Sequence, residues 1–407
     1  MGVSNSRLTK PPPYLYRLVV KPLVYEVVFK KGYRPIQRVI TAKSGATHFN
    51  VYSISPDLKR LEDLDMFEKF EHANLSELHF HVDESTQLQS IIAIHSTTRG
   101  PALGGCRCVE YASDDDAIND VVRLAKGMSY KAALADVPQG GGKAVIIKPP
   151  TINNRNALYQ SFGKFVDSLG GRYITAVDSG TMLSDMDQVH LATQYVSGCT
   201  DDGFDPSPIT ALGVFCGIKA ALLHQRGKNT LAGVHIAVQG LGNVGFALAG
   251  LLHNAGATLT VSDIDIQKQQ LCEQQFNAAS VAPEEIYHVP CDVFSPCGLG
   301  AILNDSTIHH LTCGIIAGSA NNQLLEQRHG DALHQKGILY APDYVINAGG
   351  LIQVSLGLLH ISQQDILQKT THIGNTLQRI FERSKMDNVS THIIADNLAE
   401  GILNIRH

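Results

Sequence analysis

The sequence predicts an α/β protein with more than one domain, on three observations. Strand-like apolar runs alternate with segments of helical periodicity beyond residue 66, the pattern of strands joined by helices. One strand-like run leads directly into a glycine-rich turn that opens a helix. The length of 407 residues corresponds to two or three domains of roughly 100–200 residues each.

The composition is typical of a globular protein. Hydrophobic residues make up 44% of the chain and no low-complexity tract occurs, which excludes disordered and collagen-like proteins. No run of about 18 uncharged apolar residues is present, so we expect no membrane span. The N-terminus lacks a signal-peptide pattern and the eight cysteines lack a CxxC or zinc spacing. We therefore expect a cytoplasmic protein with reduced thiols.

Charge is distributed unevenly. Residues 1–60 contain 11 Lys and Arg against two acids, whereas the rest of the chain contains 22 against 36. The negative charge of the chain after residue 60 would repel nucleic-acid phosphates, so we expect small-molecule partners and no nucleic acid. Residues 1–65 also lack the alternating pattern, and Met66 is the first Met after Met1. We expect these 65 residues to be a basic extension, either disordered or not native to the protein.

The elements predicted between residues 90 and 180 alternate in type. Residues 90–95 (SIIAIH) form a strand-like run, and residues 114–127 show helical spacing behind Ser113, the expected N-cap. Residues 143–147 and 172–177 are two further β-branched, strand-like runs. This alternation favours the α/β class.

The glycine-rich turn predicts a dinucleotide site. The strand-like run His235–Gln239 precedes the GLGNVG turn at 240–245, which opens a helix, and a second strand, Thr258–Ser262, ends at Asp263. The glycines permit a tight turn and close approach of a pyrophosphate to the helix N-terminus. Because the Asp263 carboxylate suits a ribose hydroxyl and repels a 2′-phosphate, NAD is favoured over NADP.

Two lysines and an aspartate are candidates for chemistry. Lys131 and Lys143 lie among glycines and aliphatic residues, where desolvation can lower a lysine pKa toward that of a general base. The alternative for each is an ordinary solvated side chain. Asp178 ends a strand before a glycine turn, which suits an active-site carboxylate or a helix N-cap equally well. The 18 histidines include no HExxH pair, so we expect no metal site.

The sequence does not decide the roles of three asparagines in its C-terminal third. Asn321, Asn322 and Asn347 each lie beside small residues, in positions that suit either turns or ligand hydrogen bonds. We take turns as the default interpretation.

Seven motifs, taken together, carry a resemblance to a known family. They are GPALGG (100–105), RLAKGMSYK (123–131), GGGK (140–143), PITALG (208–213), GLGNVG (240–245), AGSANNQ (317–323) and APDYVINAGG (341–350). In this order they resemble the superfamily of glutamate, leucine, phenylalanine and valine dehydrogenases, and its leucine dehydrogenase branch most closely. The match runs from about Met66 to the C-terminus.

The resemblance implies a fold and a reaction. The fold would be two domains around a cleft: a substrate domain at 66–205, a Rossmann-type NAD-binding domain at 206–355, and C-terminal helices at 356–407 returning to the substrate domain. The reaction would be oxidative deamination, in which an L-amino acid, NAD+ and water give a 2-oxo acid, ammonia and NADH. Members of this superfamily are usually homo-oligomers.

The resemblance also implies residue roles. Lys143 would be the general base, aided by Asp178, and Lys131 would bind the substrate carboxylate. The residues expected around the substrate are Gly104, Leu103, Ala176, Leu351, Val354, Asn321 and Asn322. The residues expected around the cofactor are Gly240, Gly242, Asn243, Val244, Gly245, Asp263 and Thr210. One departure is that the family's EDVGT is VDSGT here (177–181), so the acid before Asp178 is missing.

The expected pocket wall is apolar, which bears on the substrate. A glutamate γ-carboxylate would be buried there unpaired at a cost of several kcal/mol, so leucine, valine and isoleucine fit better. Phenylalanine or valine dehydrogenase activity is an alternative. A hydroxy-acid dehydrogenase would want a His–carboxylate pair, which is not conspicuous in the sequence. A non-catalytic NAD-binding sensor is a third hypothesis.

The first prediction concerns the N-terminal extension. A chain that starts at Met66 should fold and form NADH from an amino acid as the full-length chain does, because the predicted domains begin there. Circular dichroism and NADH absorbance on both chains measure this. A Met66-start chain that neither folds nor turns over substrate would show that the extension is required.

Overall fold

The structure, a computed structural model, describes residues 73–200 and 205–405, and the backbone of two strands closer to the N-terminus. β1 (Leu15–Val20) and β2 (Leu23–Val28) pair antiparallel. The remainder of residues 1–65, predicted to be an extension, lies outside the described residues.

A five-stranded mixed sheet forms the first half of the molecule. Its strands are β3 (Glu77–Asp83), β4 (Leu88–Ser96), β5 (Ala102–Val109), β6 (Gly140–Ile147) and β7 (Tyr173–Val177). Their order is β3-β4-β6-β5-β7, with β5 parallel to both β6 and β7 and with β4 antiparallel to its two neighbours. Strand β5 therefore lies between β6, which contains Lys143, and β7, which ends just before Asp178.

Helices cover both faces of this sheet. They are α1 (Asp114–Ala135), α2 (Arg155–Asp167) and α3 (Leu183–His190). Ile91 and Ala93 of β4 pack with α1, whereas Ile92 and Ile94 pack in the core that contains Phe162 of α2. Because both faces are buried, the strand is a continuous apolar run rather than an alternating one.

Helix α1 runs beyond its predicted end at residue 127. Ser113 is its N-cap, as predicted, and its side chain accepts a hydrogen bond from the Asp116 N–H at 3.2 Å. Gly127 does not end the helix, and termination comes at Asp136, whose φ of 52° is left-handed. The longer helix carries Lys131, which the predicted boundary left outside.

The glycines at 140–142 belong to strand β6 itself, which therefore begins three residues earlier than predicted. A Cβ added at Gly141 would lie 2.0 Å from the backbone nitrogen of Ser129. Glycine at this position lets α1 lie directly on β6, which brings Lys131 close to the sheet.

A six-stranded parallel sheet forms the second half. Its strands are β8 (His235–Gln239), β9 (Thr258–Ser262), β10 (Ala279–Ser280), β11 (Val293–Pro296), β12 (Ile315–Ile316) and β13 (Leu339–Tyr340). The order is β10-β9-β8-β11-β12-β13, all parallel. Numbered within this sheet, that is 3-2-1-4-5-6, the order of Rossmann-type domains. The predicted α/β class is confirmed, and strands β8 and β9 have the predicted bounds.

The helices of the second half complete the architecture. They are α4 (Ser207–Arg226), α5 (Asn243–Asn254), α6 (Ile266–Phe276), α7 (Gln327–Gln335), α8 (Asp343–Ile346), α9 (Gly349–Gly357), α10 (Gln363–Asp387) and α11 (Thr391–Leu403), with a 3₁₀ turn at Ile286–His288. Helix α10 packs on α4, and α11 packs on α1 of the first half. Among the described residues, only α4 is long and apolar enough to cross a membrane, and 61% of its most apolar stretch is buried inside the protein, as in a core helix.

Candidate active site

Lys143 and Asp178 form an ion pair across strand β5 of the first sheet. The register places Cys106 beside Ala144 of β6, which puts Gly105 beside Lys143, and it places Gly105 beside Ala176 of β7. The two charged residues therefore belong to strands on opposite sides of β5. A Cβ at Gly105 would lie 2.7 Å from the Cβ of Asp178, so glycine leaves the space in which the pair meets.

The pair is shielded from solvent. Lys143 is 7% exposed and Asp178 is half-buried. Burial raises the pKa of Asp178. The Lys143 charge, the Ser179 backbone N–H and Arg107 together have the larger, opposite effect, so this pKa lies below its ordinary value. Asp178 is thus a carboxylate at neutral pH. The two candidates that the sequence singled out are brought together by the fold.

Lys131 projects from α1 toward the loop that follows β12. Its Nζ is 3.5 Å from the amide oxygen of Asn321. Desolvation lowers the pKa of Lys131 to about 8, Lys143 lowers it too, and the negative charges of Asp343 and Asp178 act in the opposite direction. A lysine with this pKa is still mostly protonated at neutral pH and can bind an anion.

The asparagines form the facing wall of a cleft. Nδ2 of Asn347 donates to the amide oxygen of Asn321 at 2.9 Å and to the backbone oxygen of Ser319 at 3.0 Å. Asn322 has a left-handed φ of 50°, the turn conformation that the sequence favoured. Asn347 lies in the turn after Asp343–Ile346, as predicted, and it is only 6% exposed, so its side chain holds the loop in place from inside.

The glycine turn has the shape that a pyrophosphate needs. Gly240 has a φ of 90°, and a Cβ there would lie 2.6 Å from the backbone nitrogen of Gly298. A Cβ at Gly245 would lie 2.0 Å from the Gly240 oxygen, so this glycine permits close packing of α5 on its strand. Gly242 caps α5 without a side-chain hydrogen bond and has open space around it. The N–H groups of the first turn are therefore available to an anion.

Other predicted cofactor residues lie around this turn. Asn243 and Val244 are the first two residues of α5. Asp263 follows β9, and its carboxylate accepts hydrogen bonds from the backbone N–H of Leu241 and, at 2.8 Å, of Asp265. Asp263 thus orders the glycine turn. The residues present fit a nicotinamide dinucleotide.

Thr210 lies near the start of α4. A Cβ at Gly349 would lie 2.8 Å from the Cα of Thr210, and one at Gly350 would lie 3.1 Å from its hydroxyl. These glycines bring the start of α9 against the first turn of α4. The structure therefore places Thr210 beside the helix that carries Leu351 and Val354.

The residues predicted for the apolar wall come from both halves of the molecule, Leu103 and Ala176 from the first sheet and Leu351 and Val354 from α9. Leu103 and Leu351 belong to one buried cluster, and Val354 packs against it. Ala176 is half-buried on β7 beside Gly105. Gly104 packs so closely on β6 that a Cβ would lie 1.8 Å from the Gly142 oxygen, and its own oxygen accepts a hydrogen bond from the Tyr173 hydroxyl at 2.6 Å.

Sequence reasoning missed several charged residues around the site. They are Arg107, Asp120, Arg123 and Asp343. Burial raises the pKa of Asp343, and the Lys131 charge and backbone N–H groups oppose this. Arg123 and Asp343 stood inside motifs that had been recognised, but nothing local distinguished them from solvated surface charges.

Comparisons with known proteins agree on one family. Residues 72–195 match the Glu/Leu/Phe/Val dehydrogenase dimerisation domain, and residues 261–397 match the Glutamate/Leucine/Phenylalanine/Valine dehydrogenase domain. A leucine dehydrogenase of Thermoactinomyces intermedius is 46% identical over 340 residues, which cover 83% of this chain and 93% of that protein. A phenylalanine dehydrogenase of Bacillus thermotolerans is 44% identical, over 84% of this chain and 91% of that protein. The crystal structure of L-tryptophan dehydrogenase from Nostoc punctiforme has a TM-score of 0.76 at 44% identity and covers 83% of this chain and 98% of its own.

The second prediction tests the space above β5. Gly105→Ala should lower kcat/KM at least about tenfold, because its methyl group displaces Asp178 from Lys143 and small misplacements of reacting groups are costly. Gly127→Ala on α1 is the matched control, since its Cβ meets open space. Steady-state kinetics of both variants measure the difference, and equal activities would show that the glycine at 105 is not needed for the pair.

Proposed function

The chain belongs to the glutamate, leucine, phenylalanine and valine dehydrogenase family, and from that premise we propose that it is an NAD-dependent amino-acid dehydrogenase acting on leucine, and also on valine and isoleucine. It would convert these L-amino acids reversibly to 2-oxo acids with ammonia and NADH. The observation that carries the proposal is the shielded Lys143–Asp178 pair, which interacts electrostatically with Lys131.

Lys131 binds the substrate carboxylate in this mechanism. Its ammonium group projects toward the cleft wall at Asn321, and its partial burial strengthens its attraction to an anion. A carboxylate at this position leaves the α-carbon and its nitrogen to face the Lys143–Asp178 pair. Asn321, held by Asn347, fixes the opposite side of the substrate.

Lys143 is the general base. In its uncharged form it accepts a proton from the substrate ammonium group, because a hydride leaves the α-carbon readily only when the nitrogen has a free electron pair. Bound NAD+ supplies the acceptor for that hydride. Lys143 then passes its proton to Asp178 and takes one from the water that attacks the iminium carbon. It returns this proton to nitrogen and accepts the hydroxyl proton as ammonia leaves.

The geometry of the second sheet supports the proposed cofactor residues. The GLGNVG turn, including Asn243 and Val244, would hold the pyrophosphate at the N-terminus of α5. Asp263 would accept the ribose hydroxyls, and its negative charge favours NAD over NADP. Thr210 would face the nicotinamide from α4.

An apolar pocket supports the choice of substrate. Leu103, Ala176, Leu351 and Val354 include no cation, so a glutamate side chain would be buried without a partner. The branched-chain substrates differ by about one methylene, so mixed specificity is expected. Phenylalanine dehydrogenase activity is the second candidate, because a phenylalanine dehydrogenase is 44% identical, against 46% for a leucine dehydrogenase.

The proposal includes the organisation of the chain. Its domains would be a substrate domain at 66–205, an NAD-binding domain at 206–355 and returning helices at 356–407. A homo-oligomer is proposed because residues 72–195 match a family domain described as a dimerisation domain. We also propose a cytoplasmic location.

The third prediction tests the reaction and the base. Wild-type protein with NAD+ should form NADH from L-leucine, L-valine and L-isoleucine but not from L-glutamate, with L-phenylalanine deciding the alternative. Lys143→Met should lower kcat by about 100-fold or more while NAD binding persists. Lys148→Met is the control, because Lys148 is an exposed lysine paired with Glu110. Tight NAD binding without turnover of any amino acid would contradict the proposal and support an NAD-binding sensor.

The fourth prediction follows from the pKa of Lys131, which is about 8. A carboxylate binds the protonated form, so affinity is fully present below this pKa and falls about tenfold per pH unit above it. The probe is 4-methylpentanoate, which has the leucine side chain and carboxylate but no amine. Its inhibition constant should rise at alkaline pH in the wild type and stay constant in Lys131→Arg, whose charge persists. A wild-type constant that does not change up to about pH 10 would remove Lys131 from carboxylate binding.

A further inference from the structure

Four polar contacts join Asp178 to the opposite wall of the cleft. Arg107 Nε lies 3.8 Å from Asp178 Oδ2, and Arg107 Nη1 donates to Asp120 Oδ2 at 2.9 Å. Arg123 Nη2 donates to Asp120 Oδ1 at 2.9 Å, and Arg123 Nη1 donates to the Asn322 amide oxygen at 3.1 Å. We call these five residues the cross-cleft chain. It begins at the proposed active site and ends on the loop after β12.

Asp120 couples the two arginines. One of its carboxylate oxygens accepts from Arg107 and the other from Arg123, and the Tyr111 hydroxyl donates to the first at 2.8 Å. Burial raises the pKa of Asp120. The two arginines and Tyr111 together have the larger, opposite effect, so the Asp120 carboxyl group is charged. Because both oxygens are engaged in directional bonds, the position of one arginine constrains that of the other.

Arg107 has an unused donor that faces Asp178. Its Nε is buried and has no hydrogen-bond partner within the described part of the chain. A buried N–H group without a partner is costly, and this one needs a movement of less than about 1 Å to reach Asp178 Oδ2. When Lys143 turns to the substrate, Arg107 can take over the carboxylate that Lys143 releases.

Arg123 is the part of the cross-cleft chain that touches the other domain. Its side chain is 57% exposed, so its contacts contribute little to stability. It ends on Asn322, the neighbour of the Asn321 that contacts Lys131. The contacts of Arg123 and Lys131 therefore both lie on one loop.

We propose that Arg107 is a positioning residue for Asp178 and that Asp120 and Arg123 make this position depend on closure of the cleft onto Asn322. The proposal rests on the proposed function. It links the position of the Asp178 carboxylate to contacts made on the opposite side of the cleft.

The charged state of Asp178 is controlled from three elements. The cations that act on it are Lys143 of β6, Arg107 of β5 and Lys131 of α1. Three further titratable groups of the described residues interact with it, and their raised pKa values leave them uncharged at neutral pH: Cys106, Tyr111 and Tyr173. Removing Arg107 deletes one of the cations that favour the carboxylate form, so Asp178 should protonate at higher pH.

The first experiment measures kcat and KM for L-leucine against pH in Arg107→Met and Arg107→Lys. Arg107→Met should lower kcat about tenfold and move the acidic limb of the kcat/KM profile to higher pH. In Arg107→Lys the acidic limb of the kcat/KM profile should return to its wild-type pH, because the lysine keeps the positive charge. Arg383→Met, which removes an exposed arginine paired with Asp387 on α10, is the control. A pH profile for Arg107→Met that matches the control would overturn the proposal.

The second experiment is a double-mutant cycle between Arg123→Met and Asp120→Asn. Arg123 is exposed, so its variant keeps its thermal stability even where Arg107→Met does not fold. Each single variant should lower kcat with little change in the dissociation constant of NAD, and the double variant should lose no more than the larger single loss. Losses that multiply, or no loss in Arg123→Met, would refute the coupling. A wild type that turns over no amino acid would overturn the proposed function as well, whereas active, unaffected variants overturn this inference alone.

Discussion

The ion pair between Lys143 and Asp178 is the interaction on which the rest of the site depends. A shielded charge that loses its partner costs about 3–5 kcal/mol, so the fold must keep both groups together. They come from strands on opposite sides of β5, and they meet only because Gly105 carries no side chain between them. The pair also acts on Lys131 electrostatically, which links substrate binding to the state of the base.

Close approaches between backbone segments explain why the motifs around the site contain glycines. Gly141 lets α1 lie on β6 and so sets the distance from Lys131 to the sheet, while Gly245 lets α5 pack against the turn that follows β8. In each case a methyl group would lie about 2 Å from a backbone atom, which no side-chain rearrangement can relieve. Gly141 and Gly245 are therefore steric requirements that position a charged side chain and a helix end.

The sequence predicted more of the secondary structure than of the site's surroundings. Strands β8 and β9 were predicted with their observed bounds because local periodicity and turn chemistry agree there. The end of α1 was wrong, because a glycine inside a helix that packs on a sheet is tolerated when tertiary contacts outweigh its low propensity. The sequence did not predict Arg107, Asp120 and Arg123 as residues around the site, because their contacts join segments that are distant in sequence. Asn347 does lie in a turn, as predicted, but its burial and its contacts with Ser319 and Asn321 could not be inferred from its sequence neighbours.

The central claim is that Lys143 acts on the substrate nitrogen while the α-hydrogen leaves as a hydride. It is tested most directly with L-leucine that carries deuterium on the α-carbon, incubated with the wild-type protein and NAD+, followed by mass spectrometry of the NADH formed. The account predicts that the NADH contains the deuterium. Recovery of the deuterium in water, with unlabelled leucine or product, would show that the base removes the α-hydrogen as a proton and would contradict the account.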